Sequence, residues 1–559
     1  MAAGRPGCDA IRDRRGARHA NVTTSAHHDA VSTSASTLSP GVSAHSSTSR
    51  VDAAAAGVAA TAVALGASEL IAAVLPGATS LVAAVGQVVI DLQPSGAKDL
   101  VVALFGTNDK VALEVVVVLV SLAFGAVLGI LAVRRFALAA AGFVAFGVLG
   151  FAAALGDPQA NAASVAAQAT VAVGLGLQTL SWLLARAPVV GAMDADGTVA
   201  SSDPARRSFL LRTGAVGLSA LVVGLGGRSL LAGSRTAPIT AGELPVASET
   251  VPPIAAGADL APTTPGLTPL VVPNQDFYRI DTALLVPSVD IATWTLRIHG
   301  LVERETTLTW NELLALPMFE QYVTIACVSN EVGGGLVGNA KWTGVRLRNV
   351  LEIAGVMSAA TQLVGRPVSG DVFSAGMPMA WVMDPSREPM IAVQMNDEPL
   401  PPAHGFPARL IIPGLYGYVS ATKWLAELEL TTLEGFDGYW VPLGWAKEAP
   451  ILTQSRIDTP RGGSVGAGRV PIAGIAWAPD RGVTRVEVAI DGEWRDAELS
   501  APISDATWVQ WVVAWDATPG QHTVSVRATD GTGAVQEERS SRPAPDGARG
   551  WHTVSITVS

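Results

Sequence analysis

The side chain that most invites chemistry is Cys327, set in the run Thr324-Ile325-Ala326-Cys327-Val328-Ser329-Asn330-Glu331. The apolar, β-branched residues before it predict a strand, and Gly333-Gly334-Gly335 after it predict a loop, so a strand end delivers the thiol into a turn. Cys8 is the only other cysteine, which excludes a disulfide framework. A lone cysteine is by default a small buried hydrophobe. In an oxidising compartment, however, a reduced thiol needs something to occupy it, and a soft thiolate suits a soft or high-valent metal. Glu331 offers a proton donor near such a metal, although shaping the loop is its simpler role. Glu69 and Glu114 are single charges in otherwise apolar stretches. Such carboxylates are functional candidates unless they lie near enough to a helix end to reach water, which is the simpler reading of both. No histidine falls in those stretches, so a transmembrane haem has no ligands and none is expected in the anchor.

The elements that must carry these residues divide the chain. It is 49% hydrophobic but only 15% charged, with mean hydropathy +0.37, against about 25% charged in ordinary soluble domains. Residues 1–50, rich in Ser, Thr, Ala, Arg and His, cannot bury enough surface to order and read as disordered. Residues 51–233 read as a transmembrane anchor with five helices, roughly 53–75, 111–133, 136–156, 162–185 and 208–232. The apolar stretch 79–105 is broken by Gly, Pro and Asp and reads as an outer loop or interfacial segment. Arginines before the first span, at 134 and 135, and at 186, 206 and 207 alternate with loops poor in basic residues. The basic loops therefore place the N-terminus in the cytoplasm and everything after the fifth span outside, in a multi-pass membrane protein. Arg206-Arg207-Ser208-Phe209-Leu210-Leu211 before a Gly-rich apolar run resembles a twin-arginine export signal. Such a signal delivers folded domains, so the exported half is expected to hold a complex cofactor.

Residues 234–559 carry 22 basic against 35 acidic groups, which argues against nucleic acid as a partner. The Pro/Thr-rich stretch 234–272 reads as a linker. Trp294 to Ile298 alternates as a strand and Trp310 to Leu316 reads as a short helix. From about 450 the pattern is all-β: Val486, Val488 and Ile490, then Val524 and Val526, then Val554, Ile556 and Val558, with Asp491-Gly492 and Asp530-Gly531 as turns. That spacing predicts a β-sandwich over 448–559.

The exported half resembles the sulfite oxidase superfamily of molybdopterin enzymes over roughly 270–559. The matching stretches are Asn274-Gln275-Asp276-Phe277-Tyr278-Arg279, the Cys327 segment, Lys341-Trp342-Thr343-Gly344-Val345, Met395 to Pro401, His404-Gly405-Phe406-Pro407-Ala408-Arg409, Pro413 to Gly417 and Thr422-Lys423-Trp424-Leu425. The resemblance implies an α+β molybdopterin-binding catalytic domain at 273–447, followed by an immunoglobulin-like, dimerisation-type domain at 448–559. It implies a molybdenum atom bound by one pterin and by the thiolate of Cys327. His404, Arg409, Thr422 and Lys423 would line the pterin phosphate pocket, Asn274 and Tyr278 would sit at the pterin edge, and Ser369 would donate a hydrogen bond there. Arg409 and Lys423 also suit that place physically, since a phosphate ester needs fixed cations.

Departures from the family bear on the substrate. Sulfite oxidases place a Tyr by the metal where this chain has Phe373, and follow the ligand cysteine with an arginine where it has Glu331-Val332. Arg279 replaces one cation and is a candidate catalytic residue. The methionine-sulfoxide reductases of the superfamily carry a Glu two residues after the cysteine, where Ser329 stands. The expectation is oxygen-atom transfer on the outer face of the membrane to or from a small or protein-bound substrate, with sulfoxide or N-oxide reduction ahead of sulfite oxidation. The rival is a non-enzymatic, membrane-anchored immunoglobulin-like binding protein. The lipid bilayer is one partner, an electron-transfer protein of unknown identity another, and a homodimer is allowed.

Overall fold

A computed structural model describes residues 47–92, 109–157, 160–190, 203–233, 244–281, 283–284, 286–368 and 374–559. Cys8, Ser369 and Phe373 lie outside the described residues, as does all but the end of the stretch expected to be disordered.

Among the described residues four helices are long and apolar enough to cross a membrane: Arg50–Val74, Lys110–Ala154, Ala162–Leu184 and Pro204–Leu231. Ser49 starts the first of them, its hydroxyl accepting from Asp52 N. The second has the length of two crossings, since 45 residues of straight helix would run about 67 Å against a hydrocarbon core of about 30 Å. It breaks at Arg135 (φ −144°, ψ 70°). Phe124 and Phe146, 22 residues apart and so about 33 Å apart on a straight helix, bring their ring centroids to 5.9 Å. The two halves therefore fold back on each other about Arg134-Arg135, where two separate spans were expected. The stretch at 79–105 contains a short apolar helix, Leu81–Leu92, too short to cross.

Small residues let the backbones approach. A Cβ on Gly129 would stand 2.1 Å from Ala53 O, and one on Gly66 would stand 2.4 Å from Ala220 O, the close packing that membrane helices use in place of a hydrophobic driving force. These contacts, with Arg206 Nε 3.4 Å from Asp52 Oδ1, gather Arg50, Arg134, Arg135 and Arg206 at one end of the bundle. At the other end Arg228 bonds Glu114 and lies 3.4 Å from Glu69, while Ser80 Oγ donates to Glu69 Oε1 at 2.7 Å. Glu69 is buried and does not reach water; its charge is met by an arginine one helix away.

The segment expected to be a free linker is packed from residue 244 onward. Leu244, Ala247, Ala258, Leu270 and Val272 are buried in the main core, and Glu249 bridges Phe319. That core lies in a mixed domain with two five-stranded sheets. One runs Glu398–Pro399, Met390–Met395, Val337–Arg346, Met318–Ala326, with Arg409–Ile411 also on Met390–Met395. The other runs Thr306–Thr309, Thr295–Gly300, Leu425–Thr431, Gln362–Pro367, Ala375–Pro378. Thr309 caps the expected short helix, Trp310–Leu314, with a full capping box.

Beyond residue 450 a four-stranded and a five-stranded sheet share one core, with Ile472, Trp511 and Val513 from one and Val486, Val526 and Ile556 from the other. The expected strands are present as Val483–Ile490, Gly520–Asp530 and His552–Val558. Asp491 (φ 53°) and Gly492 (φ 91°) make the predicted turn, both in the left-handed region a tight hairpin requires.

Candidate active site

Cys327 ends the strand Met318–Ala326 and is buried. Its amide donates to Leu336 O at 2.9 Å, and Asn330 Oδ1 accepts from Leu336 N at 2.8 Å, closing the glycine loop into a hairpin. The sulfur lies 3.0 Å from Ser329 Oγ. Glu331 points to solvent while its carbonyl accepts from Gly334 N, so it shapes the loop. The strand's outer edge is laced to the C-terminal sandwich: Thr324 N donates to Ala506 O at 2.9 Å, and Trp508 N donates to Thr324 Oγ1 at 2.8 Å. Arg456 of the sandwich donates to Gly334 O at 2.8 Å while bonding buried Asp458 at 2.6 Å.

A second wall is built by three backbone bonds. Leu410 N donates to Thr422 O, Trp424 N to Gly405 O and Leu425 N to Ala408 O, which fixes His404, Arg409 and Lys423 side by side. Gly405 turns at φ 117°, where a Cβ would meet Lys423 and Arg409 at 3.1 and 3.2 Å. Arg409 is buried beneath Trp342, 5.1 Å from the ring, and donates to the carbonyls of His404 (2.9 Å) and Ala421 (3.5 Å). Among the described residues no carboxylate pairs with it, and its Nε has no partner. Burial pulls the guanidinium down to about 10, partly offset by Tyr278. His404 Nε2 donates to Asn274 O (2.9 Å), while its buried Nδ1 has no partner. Burial, then Lys423 and Arg409, push it down to about 4, so it is neutral at pH 7. Tyr278 stacks on Phe277 (5.3 Å), and burial raises its hydroxyl, with Cys327 adding and Arg409 opposing. The phenol thus stands in electrostatic reach of both thiol and guanidinium.

Two of the expected residues also make bonds within the protein. Asn274 donates to Met395 O and Glu398 and accepts from Asn396, so its amide ties the Met395–Glu398 turn, and its carbonyl orients His404. Thr422 is buried with its hydroxyl 3.4 Å from Gly365 O. Arg279 is exposed and bonds Asp281, as does Lys423, each at 2.9 Å. Burial works against the Asp281 charge, but Lys423, Lys110 and Arg279 outweigh it and hold the carboxyl far below its usual range. Burial draws Lys423 down to about 8, with Asp281 opposing.

Sequence reasoning missed Asp281, whose partner Lys110 lies 171 residues away. It also missed Tyr416 and Tyr418, whose hydroxyls burial pushes up, to about 12 at Tyr416, with Cys327 adding in both cases. Both tyrosines lie in or beside the Pro413 to Gly417 motif, which was the available signal.

An unpaired buried guanidinium beside Lys423 is the donor set that the phosphate of a cofactor would satisfy, and the Cys327 thiol is of the kind that ligates a metal. Among the described residues no group of three or more His, Cys, Asp or Glu converges, so the side chains offer one thiolate rather than a cage. Residues 283–440 match the family described as "Oxidoreductase molybdopterin binding domain". Human mitochondrial sulfite oxidase is 29% identical over 343 residues, covering 52% of this chain and 62% of that one. Rice nitrate reductase [NADH] 1 is 30% identical over 324 residues, covering 45% and 34%. Among solved structures, the sulfane dehydrogenase SoxCD from Paracoccus pantotrophus aligns at 25% identity over 52% of this chain and 84% of that one, with TM-score 0.46. The chain spans about three-fifths of the length of the curated sulfite oxidases it matches.

Residues 283–440 are thus an oxidoreductase domain of the molybdopterin-binding kind. Its similarity to sulfite oxidases and nitrate reductases supports an oxidoreductase and sets aside the reading of a mere binding module.

Proposed function

We propose that the chain is a membrane-anchored molybdenum–molybdopterin oxidoreductase whose catalytic half works on the extracytoplasmic face. The observation that carries the cofactor assignment is Arg409, buried, without a carboxylate among the described residues and with an open Nε beside the open Nδ1 of His404. Arg409 and Lys423 would hold the pterin phosphate in a pocket that His404 lines, Tyr278 would lie along the pterin edge, and Cys327 would ligate the metal. Once bound, the cofactor supplies two-electron oxygen-atom transfer. The protein's own residues bind and orient it, exclude water through Phe277 and Trp342, and set the charge of the pocket through Asp281.

The five-crossing anchor places the arginine-rich end in the cytoplasm and the Glu69–Arg228–Glu114 end beneath the catalytic half. The Arg206-Arg207 signal fits delivery of an already-loaded domain. With no histidine in the apolar helices, electrons are exchanged with a separate carrier. The C-terminal sandwich serves as an immunoglobulin-like, dimerisation-type domain.

For the substrate, Asp281 decides. It already engages Arg279, the cation proposed for the substrate, so an oxyanion there would have to displace an internal carboxylate, whereas an uncharged sulfoxide or N-oxide would not. The second reading, oxidation of sulfite, is favoured by the kind of relative the chain matches.

The test begins with molybdenum content of purified wild type and Cys327→Ala, expressed with the cofactor pathway intact. About one atom per chain, lost in the variant, is expected; a metal-free wild type would sink the assignment. Loaded protein is then assayed with reduced viologen and dimethyl sulfoxide or trimethylamine N-oxide, and with sulfite and ferricyanide. Turnover of sulfite alone would reverse the order of the two readings.

A further inference from the structure

The strand of chain that carries Tyr278 out of the pocket runs straight onto the helical half. Asp281 Oδ2 accepts from Arg279 Nε and Lys423 Nζ, and Oδ1 is bonded by Lys110 Nζ. Lys110 donates also to Ala283 O at 3.0 Å, and Leu284 N lies 3.4 Å from Gln87 Oε1. The Leu284 side chain fills the space that Gly86 leaves: a Cβ at Gly86 would stand 2.7 Å from Leu284 Cδ1. Lys110 opens the long apolar helix, and Gly86 and Gln87 lie on the short one, Leu81–Leu92. Two separate elements of the helical half thus grip residues 281, 283 and 284, six residues or fewer from Tyr278.

A carboxylate whose side chain is 3% exposed is stable only while paired. Without Lys110 the Asp281 charge falls entirely on Arg279 and Lys423, drawing both toward it, and the segment loses two of its bonds to the helices. We propose that Lys110 is a positioning residue of the cofactor pocket. Through it and the Gly86 seat, the helical half fixes the 274–284 wall and the placement of Lys423 and Arg279. The inference rests on reading His404, Arg409 and Lys423 as the cofactor pocket, and it makes the helical half a part of the catalytic unit rather than a tether.

Full-length protein in detergent micelles tests it with two readouts that do not depend on turnover. One is the rate of tryptic cleavage after Arg279, identified by fragment mass. The other is molybdenum retained after prolonged dialysis. Lys110→Met and, through the other element, Leu284→Ala are each expected to speed that cleavage about tenfold, a local opening rather than global unfolding. Each should also accelerate molybdenum loss, and Lys110→Arg should restore both readouts. Molybdenum present in wild type, with both readouts unchanged in Lys110→Met and Leu284→Ala, would overturn the positioning role alone. Wild type without molybdenum overturns the pocket assignment instead, whatever the cleavage rates.

Discussion

At the scale of single residues, the pocket pairs its charges unevenly, and that unevenness is measurable. Arg409 is buried against carbonyls only, whereas Lys423 has Asp281. An unpaired buried charge costs stability that a ligand would repay. Arg409→Met is therefore expected to raise the thermal stability of cofactor-free protein, by about 1–3 kcal/mol, while abolishing cofactor loading. A drop in both would mean that Arg409 is structural. Lys423 gives a pH dependence. With its amine near 8, it is a cation below that pH and neutral above it. Binding of pyrophosphate to cofactor-free protein, followed by calorimetry, should weaken as pH rises through about 8, and the dependence should vanish in Lys423→Met. His404 gives one of opposite sign for stability. It stays neutral in the fold down to about 4, but its unfolded counterpart takes a proton below about 6.5. The unfolded state then binds more protons, so the stability of cofactor-free protein should fall between pH 6.5 and 4, by up to about 3 kcal/mol, and His404→Gln should flatten that slope. Cys327, His404 and Arg409 were legible because motif residues with fixed spacing announce them. Asp281 was not, because its meaning comes from a lysine on a different element.

At the scale of elements, the strand and loop that carry the thiol are braced by the sandwich behind them. Arg456 spans the boundary, bonding Gly334 O in the cysteine loop, Thr268 Oγ1 at 2.8 Å and the fully buried Asp458. Arg456→Met leaves the buried Asp458 charge with the exposed Arg461 at 3.2 Å as its cation, beside a bond from Thr268 N at 3.1 Å. The expected cost is about 3 kcal/mol, together with faster maleimide labelling of Cys327 in cofactor-free protein. Unchanged labelling at reduced stability would show that the loop holds itself. The strands of the sandwich were readable because each buries one face, so Val486, Val488 and Ile490 alternate visibly. The 244–272 stretch was not, since Pro and Thr without period look the same whether free or laid against Phe319 and Gln510. What fixes it is a set of single backbone bonds to distant elements, such as Val272 N to Asn339 O and Leu260 N to Gln510 Oε1. The helices were legible in length and place, and the break between two of them falls at Arg134-Arg135 as read, but its tightness was not legible. Two arginines read as a loop, and a hairpin with a single non-helical residue leaves no turn signature.

At the scale of the whole molecule, the chain sorts its charges along one axis. Arginines stand at one end of the helical bundle. At the other end Arg228 lies between Glu69 and Glu114, and Lys110 reaches Asp281 of the catalytic domain. This arrangement has a sidedness that labelling can read. In a Cys8→Ala background, Ala78→Cys lies at the end near the catalytic half, and Phe136→Cys lies beside the hairpin apex at the arginine end. With five crossings and the arginines inside, a membrane-impermeant maleimide added to intact cells should label position 78 but leave 136 unlabelled until the membrane is opened. Buried Cys327 serves as the slow internal reference. If the long helix did not turn back at Arg135, it would cross once and carry residue 154 away from residue 110. The hairpin instead returns residue 154 to the side of residue 110, where Thr79 Oγ1 donates to Asp157 at 3.1 Å. Labelling of both 78 and 136 from outside would break the hairpin reading. It would also remove the reason for Lys110 and the catalytic domain to share a face of the membrane, so this result bears on the pocket as much as on the anchor.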